Sequence, residues 1–290
     1  MRAGSSPRRE DSRVATPRLA SARLAGADGG PLRVDLRTGA RAGERRAAVV
    51  ICHGFKGFKD WGFFPKLADR LALAGFTAVS FNFSGSGVGD GQVFDEPERF
   101  AHQRPSADLE DLTTVVDWVV REQGAPWVGL VGHSRGGGLA ILQAARDSRV
   151  RALVTWAAVD HFLRWSEEQI AQWRRDGRTE VVNQRTGEVL TLYSDALEDM
   201  DAHGHDTLDV VAAAGRIAVP WLLAHGTADQ TVPVAVAYML ARATGSKATE
   251  LLLMDGADHT FGIRHPWQGP TREFDELLER TVGAFAQSLE

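Results

Sequence analysis

From residue 47 onward, short unbroken apolar runs alternate with helix-length amphipathic stretches, and no other feature restricts the fold as much. The runs are 47–52, 77–81, 127–131, 152–156, 220–224 and 250–254. The amphipathic stretches are roughly 63–74, 107–122, 137–146, 234–243 and 271–288. A strand that is apolar throughout is covered on both faces, so the pattern predicts an α/β fold: a mostly parallel central sheet with helices on both sides. Upstream, two extended stretches, 18–24 and 32–37, flank Gly26-Ala27-Asp28-Gly29-Gly30 and read as a β-hairpin. The alternation breaks once, between about 160 and 217. A helix-like piece, 166–175, is followed there by a hairpin-like piece, 180–182 and 189–192, around Asn183-Gln184-Arg185-Thr186-Gly187. This reads as a cap insertion over one edge of the sheet. Residues 1–17, rich in Arg, Ser and Pro, read as a flexible tail, and 18–290 as one domain.

Composition removes several classes of function. A chain of 290 residues suits a single α/β domain. With 33 basic against 38 acidic residues the net charge is −5, so nothing suggests a nucleic-acid partner. No apolar run reaches the roughly 18 residues needed to span a bilayer, so no membrane partner is expected. Arg8, Arg9, Arg13, Arg18 and Arg23 interrupt every candidate for a secretory hydrophobic segment, and a cytoplasmic location is the expectation. Cys52 is the single cysteine, which excludes an intramolecular disulfide and a Cys-rich zinc site. Its place at the end of an apolar run reads as core. His203-Gly204-His205-Asp206 lacks the spacing of a zinc site, so no metal is expected. Gly85-Ser86-Gly87-Val88-Gly89 lacks the Lys-Ser/Thr of a phosphate loop and reads as a plain connection.

The sharpest motif is Gly132-His133-Ser134-Arg135-Gly136, a G-x-S-x-G between an apolar run and a helix. That context places Ser134 on a tight strand-to-helix turn and aims the helix amides at developing negative charge. A serine hydroxyl needs a base, and the base needs an orienting acid. Downstream histidines are His161, His203, His205, His225, His259 and His265. His259 follows the last apolar run, where a loop at the carboxyl edge of the sheet would hold a ligand. It is the expected general base, with His265 ranked second and His225 read as core. Asp229, in the loop after the preceding run, is the expected acid; Asp255 and Asp258 are rivals, and Asp258 reads as a loop-capping or surface residue. The oxyanion calls for two amide donors, expected from Phe55 and Arg135. His53 reads as structural in the first of these loops. Trp165, Trp173 and Phe261 are candidate pocket walls, with packing as the competing role.

These pieces resemble the α/β-hydrolase superfamily. The resemblance rests on His53-Gly54-Phe55, the Ser134 motif, Asp229 followed by Val232-Pro233, and Gly256-Ala257-Asp258-His259. More narrowly, His53-Gly54-Phe55-Lys56-Gly57, residues 82–91 and residues 256–261 are similar to bacterial cinnamoyl/feruloyl-esterase-like and dienelactone-hydrolase-like esterases. The resemblance implies the α/β-hydrolase fold with a cap and no cofactor. It also implies a serine hydrolase cleaving small carboxylic esters through an acyl-enzyme, with Ser134, His259 and Asp229 as the triad. It says little of substrate, because one fold hosts many reactions. A small peptidase or thioesterase with the same triad is the alternative, and a non-catalytic ligand binder on this fold is the rival from another class.

Overall fold

Within each apolar run successive side chains point to opposite faces of the sheet, and each face finds its own helical layer. The structure, a computed structural model, describes residues 16–39, 46–183 and 186–289. The expected tail therefore lies, except for residues 16 and 17, outside the described residues, as do Gln184 and Arg185 of the expected hairpin turn.

The elements run β1 (Arg18–Ala25), β2 (Pro31–Thr38), β3 (Ala48–Cys52), α1 (Phe64–Leu73), β4 (Thr77–Asn82), α2 (Pro97–Ala101) and α3 (Pro105–Arg121). They continue with β5 (Val128–His133), α4 (Arg135–Arg146), β6 (Val150–Trp156), α5 (Glu167–Asp176), β7 (Arg178–Val182), β8 (Val189–Tyr193) and α6 (Asp195–His203). The last are α7 (Val210–Ala214), β9 (Trp221–Gly226), α8 (Ala235–Ala243), β10 (Thr249–Met254) and α9 (Arg272–Ala286). The main sheet has the order β1-β2-β4-β3-β5-β6-β9-β10. Its six strands from β4 to β10 pair in parallel. The hairpin β1-β2 joins antiparallel on β4. This is the mostly parallel, doubly covered sheet that the alternation predicted.

On one face Val50, Cys52 and Leu130 pack with Leu112 and Val116 of α3, Ile141 of α4 and Leu240 of α8. On the other, Val49, Ile51 and Val154 meet Leu67 and Leu71 of α1 and Phe274 and Leu277 of α9. Two tryptophans buried between the layers keep their indole N–H groups satisfied. Trp156 Nε1 donates to Thr281 Oγ1 at 3.0 Å and Trp221 Nε1 to Thr155 Oγ1 at 2.9 Å.

The stretch between β6 and β9 is not one unit. Helix α5 and the hairpin β7-β8 build a separate apolar cluster in which Trp173, Leu190 and Leu192 meet Phe58 and Phe100 from the main domain. Helix α7 instead joins the sheet layer, with Val210, Ala213 and Ala214 fully buried in the main core. The cap therefore ends before α7, and the sequence boundary near 217 included a core helix too short to show periodicity.

Candidate active site

The strand-to-helix turn at Ser134 is strained by construction. Its φ is 56° and ψ −120°, a region that a non-glycine residue occupies only when its surroundings enforce it. The enforcement is visible. Ser134 N–H donates to Trp156 O at 2.9 Å, and Ser134 O accepts from Gly137 N at 2.9 Å and Val159 N at 3.2 Å. The flanking glycines are required by space: a Cβ on Gly136 would stand 2.3 Å from Cys52 O and 2.4 Å from His53 O. Gly136→Ala is therefore expected to cost about 3 kcal/mol or to prevent folding, read from urea denaturation. A loss below about 0.5 kcal/mol would show that the turn has room to relax.

The loops after β9 and β10 are tied to each other. Thr227 N donates to Met254 O and Ala228 N to Ala257 O, both at 3.0 Å, which extends the strand pairing into the loops. This brings Asp229 and His259 together, with His259 Nδ1 2.8 Å from Asp229 Oδ2. The Asp229 side chain is fully buried, and its Oδ1 accepts from Thr231 N and Val232 N at 2.8 Å each. Burial alone would raise its pKa, but hydrogen bonds from His225 and His259 and from the Val232 amide hold it well below the usual carboxylate range. In the tautomer whose Nδ1–H donates to that carboxylate, Nε2 of His259 keeps its lone pair.

Two histidines that sequence reasoning left in the background frame this pair. His133 Nε2 lies 2.8 Å from His259 O, and the two rings are 4.7 Å apart. Burial and the neighbouring His259 push His133 down to about 3, so it is neutral and donates to that carbonyl. It occupies a variable position of the serine motif, which is why the motif gave no hint of it. His225 is fully buried; its Nε2 lies 2.8 Å from Val232 O and 3.4 Å from Asp229 Oδ2. His53 has the structural role expected of it, with Nδ1 2.9 Å from Gly54 O and Nε2 accepting from Phe83 N at 3.3 Å.

Asp258 faces its own loop, accepting from Thr260 N at 2.9 Å and Gly262 N at 2.8 Å. Asp255 accepts from Thr227 Oγ1 at 3.2 Å. Among the described residues neither rival bonds to His259, whereas Asp229 does. His265 Nδ1 accepts from Gly62 N at 3.0 Å, which ties up the second-ranked histidine.

Ser134 sits where two hollows meet. The larger, of about 660 Å³, is lined by Ser134, His259, Gly54, Phe55, Trp61 and Arg264 among others. The smaller, of about 490 Å³, is lined by Ser134, Arg135, Phe55, Phe162 and Trp165 among others. Arg135 opens α4, so its backbone N–H has no acceptor within the helix. A Cβ on Gly54 would lie 3.1 Å from Ser134 Cβ, which shows how closely the Phe55 loop approaches the serine. The Arg135 side chain helps to hold that loop. Its guanidinium pairs with Asp108 at 2.5 Å and Gln103 at 2.9 Å and lies 6.0 Å from the Phe55 ring centroid.

Of the three candidate wall residues, only Trp165 lines a hollow. It precedes the helix, because Ser166 caps α5 with a reciprocal Ser166–Gln169 capping box, so Trp165 and Trp173 do not share a helical face. Trp173 is buried behind the wall, its ring centroid 5.2 Å from that of Trp165. Phe261 is fully buried below the site, against Trp156. Both lie within apolar clusters and line neither hollow.

Known proteins resemble this chain in sequence and in fold. The family model described as "Serine aminopeptidase, S33" matches residues 43–206. The 2,6-dihydropseudooxynicotine hydrolase of Paenarthrobacter nicotinovorans is 24% identical over 243 residues, covering 82% of this chain and 59% of that protein. An uncharacterized 31.7 kDa protein in the traX-finO intergenic region of Escherichia coli is 32% identical over 112 residues, 38% of this chain and 36% of its own length. The chain thus spans between 36% and 59% of these curated relatives. Among solved structures, Est1E from Butyrivibrio proteoclasticus with ferulic acid bound has a TM-score of 0.71 at 18% identity, covering 91% of this chain and 98% of that one. Among the described residues, no helix is long and apolar enough to cross a membrane.

Proposed function

The chain belongs to the serine aminopeptidase S33 family of α/β hydrolases, and within that family we propose that it cleaves small carboxylic esters through an acyl-enzyme on Ser134. One observation carries the reading: His259 Nδ1 lies 2.8 Å from the buried Asp229 carboxylate, on the rim of the cavity that Ser134 also lines. In this mechanism His259 Nε2 takes the Ser134 proton as Oγ attacks the ester carbonyl. The Phe55 and Arg135 amides receive the developing oxyanion. The C–O bond then breaks, and His259 delivers its proton to the departing alkoxide. Water attacks the acyl-enzyme with His259 again as base, releasing the acid and restoring Ser134.

Ester rather than aminopeptide cleavage is favoured by the cavity lining. An aminopeptidase has to hold a free ammonium group, and a carboxylate is the natural partner for it. Among the described residues lining either hollow there is no Asp or Glu. Alkoxides also leave more readily than amines, so the ester reaction asks less of the site. A panel of chromogenic esters of graded acyl length, set beside thioesters and aminoacyl anilides, tests the assignment. Ester hydrolysis that depends on Ser134 and exceeds anilide cleavage is the expected outcome; anilides cleaved faster than every ester would overturn it.

The same panel tests the wall. Trp165→Ala is expected to lower kcat/KM about tenfold for the esters that fill the smaller hollow, mainly through KM, and to change their ranking. Trp173→Ala is expected instead to destabilise the cap by about 3–5 kcal/mol, as a buried aromatic truncation does. An unchanged ranking in a folded Trp165→Ala protein would remove Trp165 from the site.

A further inference from the structure

Lys56 follows Phe55 in the loop nearest Ser134 and lines both hollows. Its backbone is left-handed, with φ 58°, and its side chain is half-buried. The ammonium has three protons to donate. One goes to Val182 O on the cap hairpin at 3.0 Å, and the group stands 5.6 Å from the Phe55 ring centroid. Among the described residues it has no carboxylate partner. Burial holds its pKa below the ordinary lysine range, the mark of a charge that lacks a counter-anion.

The other cations of the site divide by hollow. In the smaller one, Arg135 is paired with Asp108 and Arg164 with Asp160. In the larger one, Arg264 is exposed and has no ion pair among the described residues, and no described carboxylate lines the walls. Two uncompensated cations thus share the larger hollow of a chain whose net charge is −5.

We propose that the larger hollow binds a substrate carrying a carboxylate remote from the scissile ester, and that Lys56 is the residue that recognises it. The inference rests on the ester-hydrolase reading and narrows its substrate class to anionic esters. Its physical basis is asymmetry. A bound carboxylate replaces the water lost by the half-buried ammonium with a charge-assisted hydrogen bond, whereas a neutral substrate of the same shape desolvates Lys56 and returns nothing. Arg264, an exposed residue lining the same hollow, adds attraction without a fixed geometry.

Matched ester pairs test it. 4-Nitrophenyl hemiglutarate against its methyl ester places the carboxylate on the acyl side; 4-acetoxybenzoate against 4-acetoxybenzamide places it on the alcohol side. Wild type is expected to favour the charged member of at least one pair by about tenfold or more in kcat/KM at low salt. Lys56→Met is expected to bring that ratio close to unity, and Lys56→Arg to keep most of it. Loss of the bond to Val182 acts on both members of a pair alike and cancels in the ratio. No preference in either pair, or an equal preference in Lys56→Met, overturns the proposal. A second arm is independent of turnover: Ser134→Ala protein is titrated with glutarate and followed by tryptophan fluorescence, since Trp61 lines the hollow. Weakening by about tenfold on adding Lys56→Met supports the site, and unchanged or absent binding overturns it. Failure of wild type to hydrolyse any neutral or charged ester would sink the ester reading instead, and the titration would still decide the anion site.

Discussion

Ser134→Ala is expected to lower ester hydrolysis roughly 10⁴-fold or more while the protein folds as wild type does. The size follows from the role, since without Oγ no acyl-enzyme forms and only oxyanion and binding terms remain. Intact folding follows from what holds the turn. The bonds that keep Ser134 at φ 56° run through its backbone N–H and C=O, to Trp156, Gly137 and Val159, and the hydroxyl supplies none of them. Alanine at this position thus meets the same strain as serine. A serine-directed phosphonate should label wild type and leave the variant unlabelled, with urea midpoints within about 0.5 kcal/mol of each other. Labelling of Ser134→Ala at the wild-type rate would move the nucleophile elsewhere.

The central strands were legible because their apolar runs are continuous, which leaves a doubly covered sheet as the economical reading. Every one of the six runs became a parallel strand, with edges displaced by two residues at most. The elements that escaped, α2, α6 and α7, have specific reasons. Helices α2 and α7 are five residues long, shorter than two turns, so neither can display a 3.6-residue period. Helix α6, nine residues long, buries only Ala196, Leu197 and Asp199, too few apolar positions to trace a 3.6-residue period. The Ser134, Asp229 and His259 candidates could be named because strand order places their loops at one edge of the sheet. What chain order does not carry is lateral packing. The Ser166-x-x-Gln169 capping box marks Trp165 as lying before α5, but that Trp165 walls a hollow while Trp173 is buried directly behind it is set by packing that no local signal carries. Lys56 was equally hidden, since its meaning depends on the absence of a carboxylate among described residues distant in the chain.

Asp229→Asn is expected to reduce hydrolysis roughly 10³–10⁴-fold, and the hydrogen bonds give the reason. Two main-chain donors, Thr231 N and Val232 N, converge on Oδ1 at 2.8 Å. An asparagine there keeps its carbonyl oxygen toward these donors, because turning the amide over would set NH₂ against two N–H groups. The amide nitrogen therefore occupies the place of Oδ2, 2.8 Å from His259 Nδ1, and acts as a donor. His259 can then only accept through Nδ1, which moves its proton to Nε2 and removes the lone pair that the proposed mechanism uses as base. Nothing in this requires a change of fold, so the loss should appear in kcat with little change in KM. Asp258→Asn is the control. Its Oδ1 accepts from Thr260 N and Gly262 N, a task that an amide oxygen performs as well, so activity should fall by less than about tenfold. Equal losses in the two variants would mean that loop geometry rather than the imidazole proton governs the rate. A larger loss in Asp258→Asn would transfer the orienting role to that residue, and the 2.8 Å bond between Asp229 and His259 would then be structural.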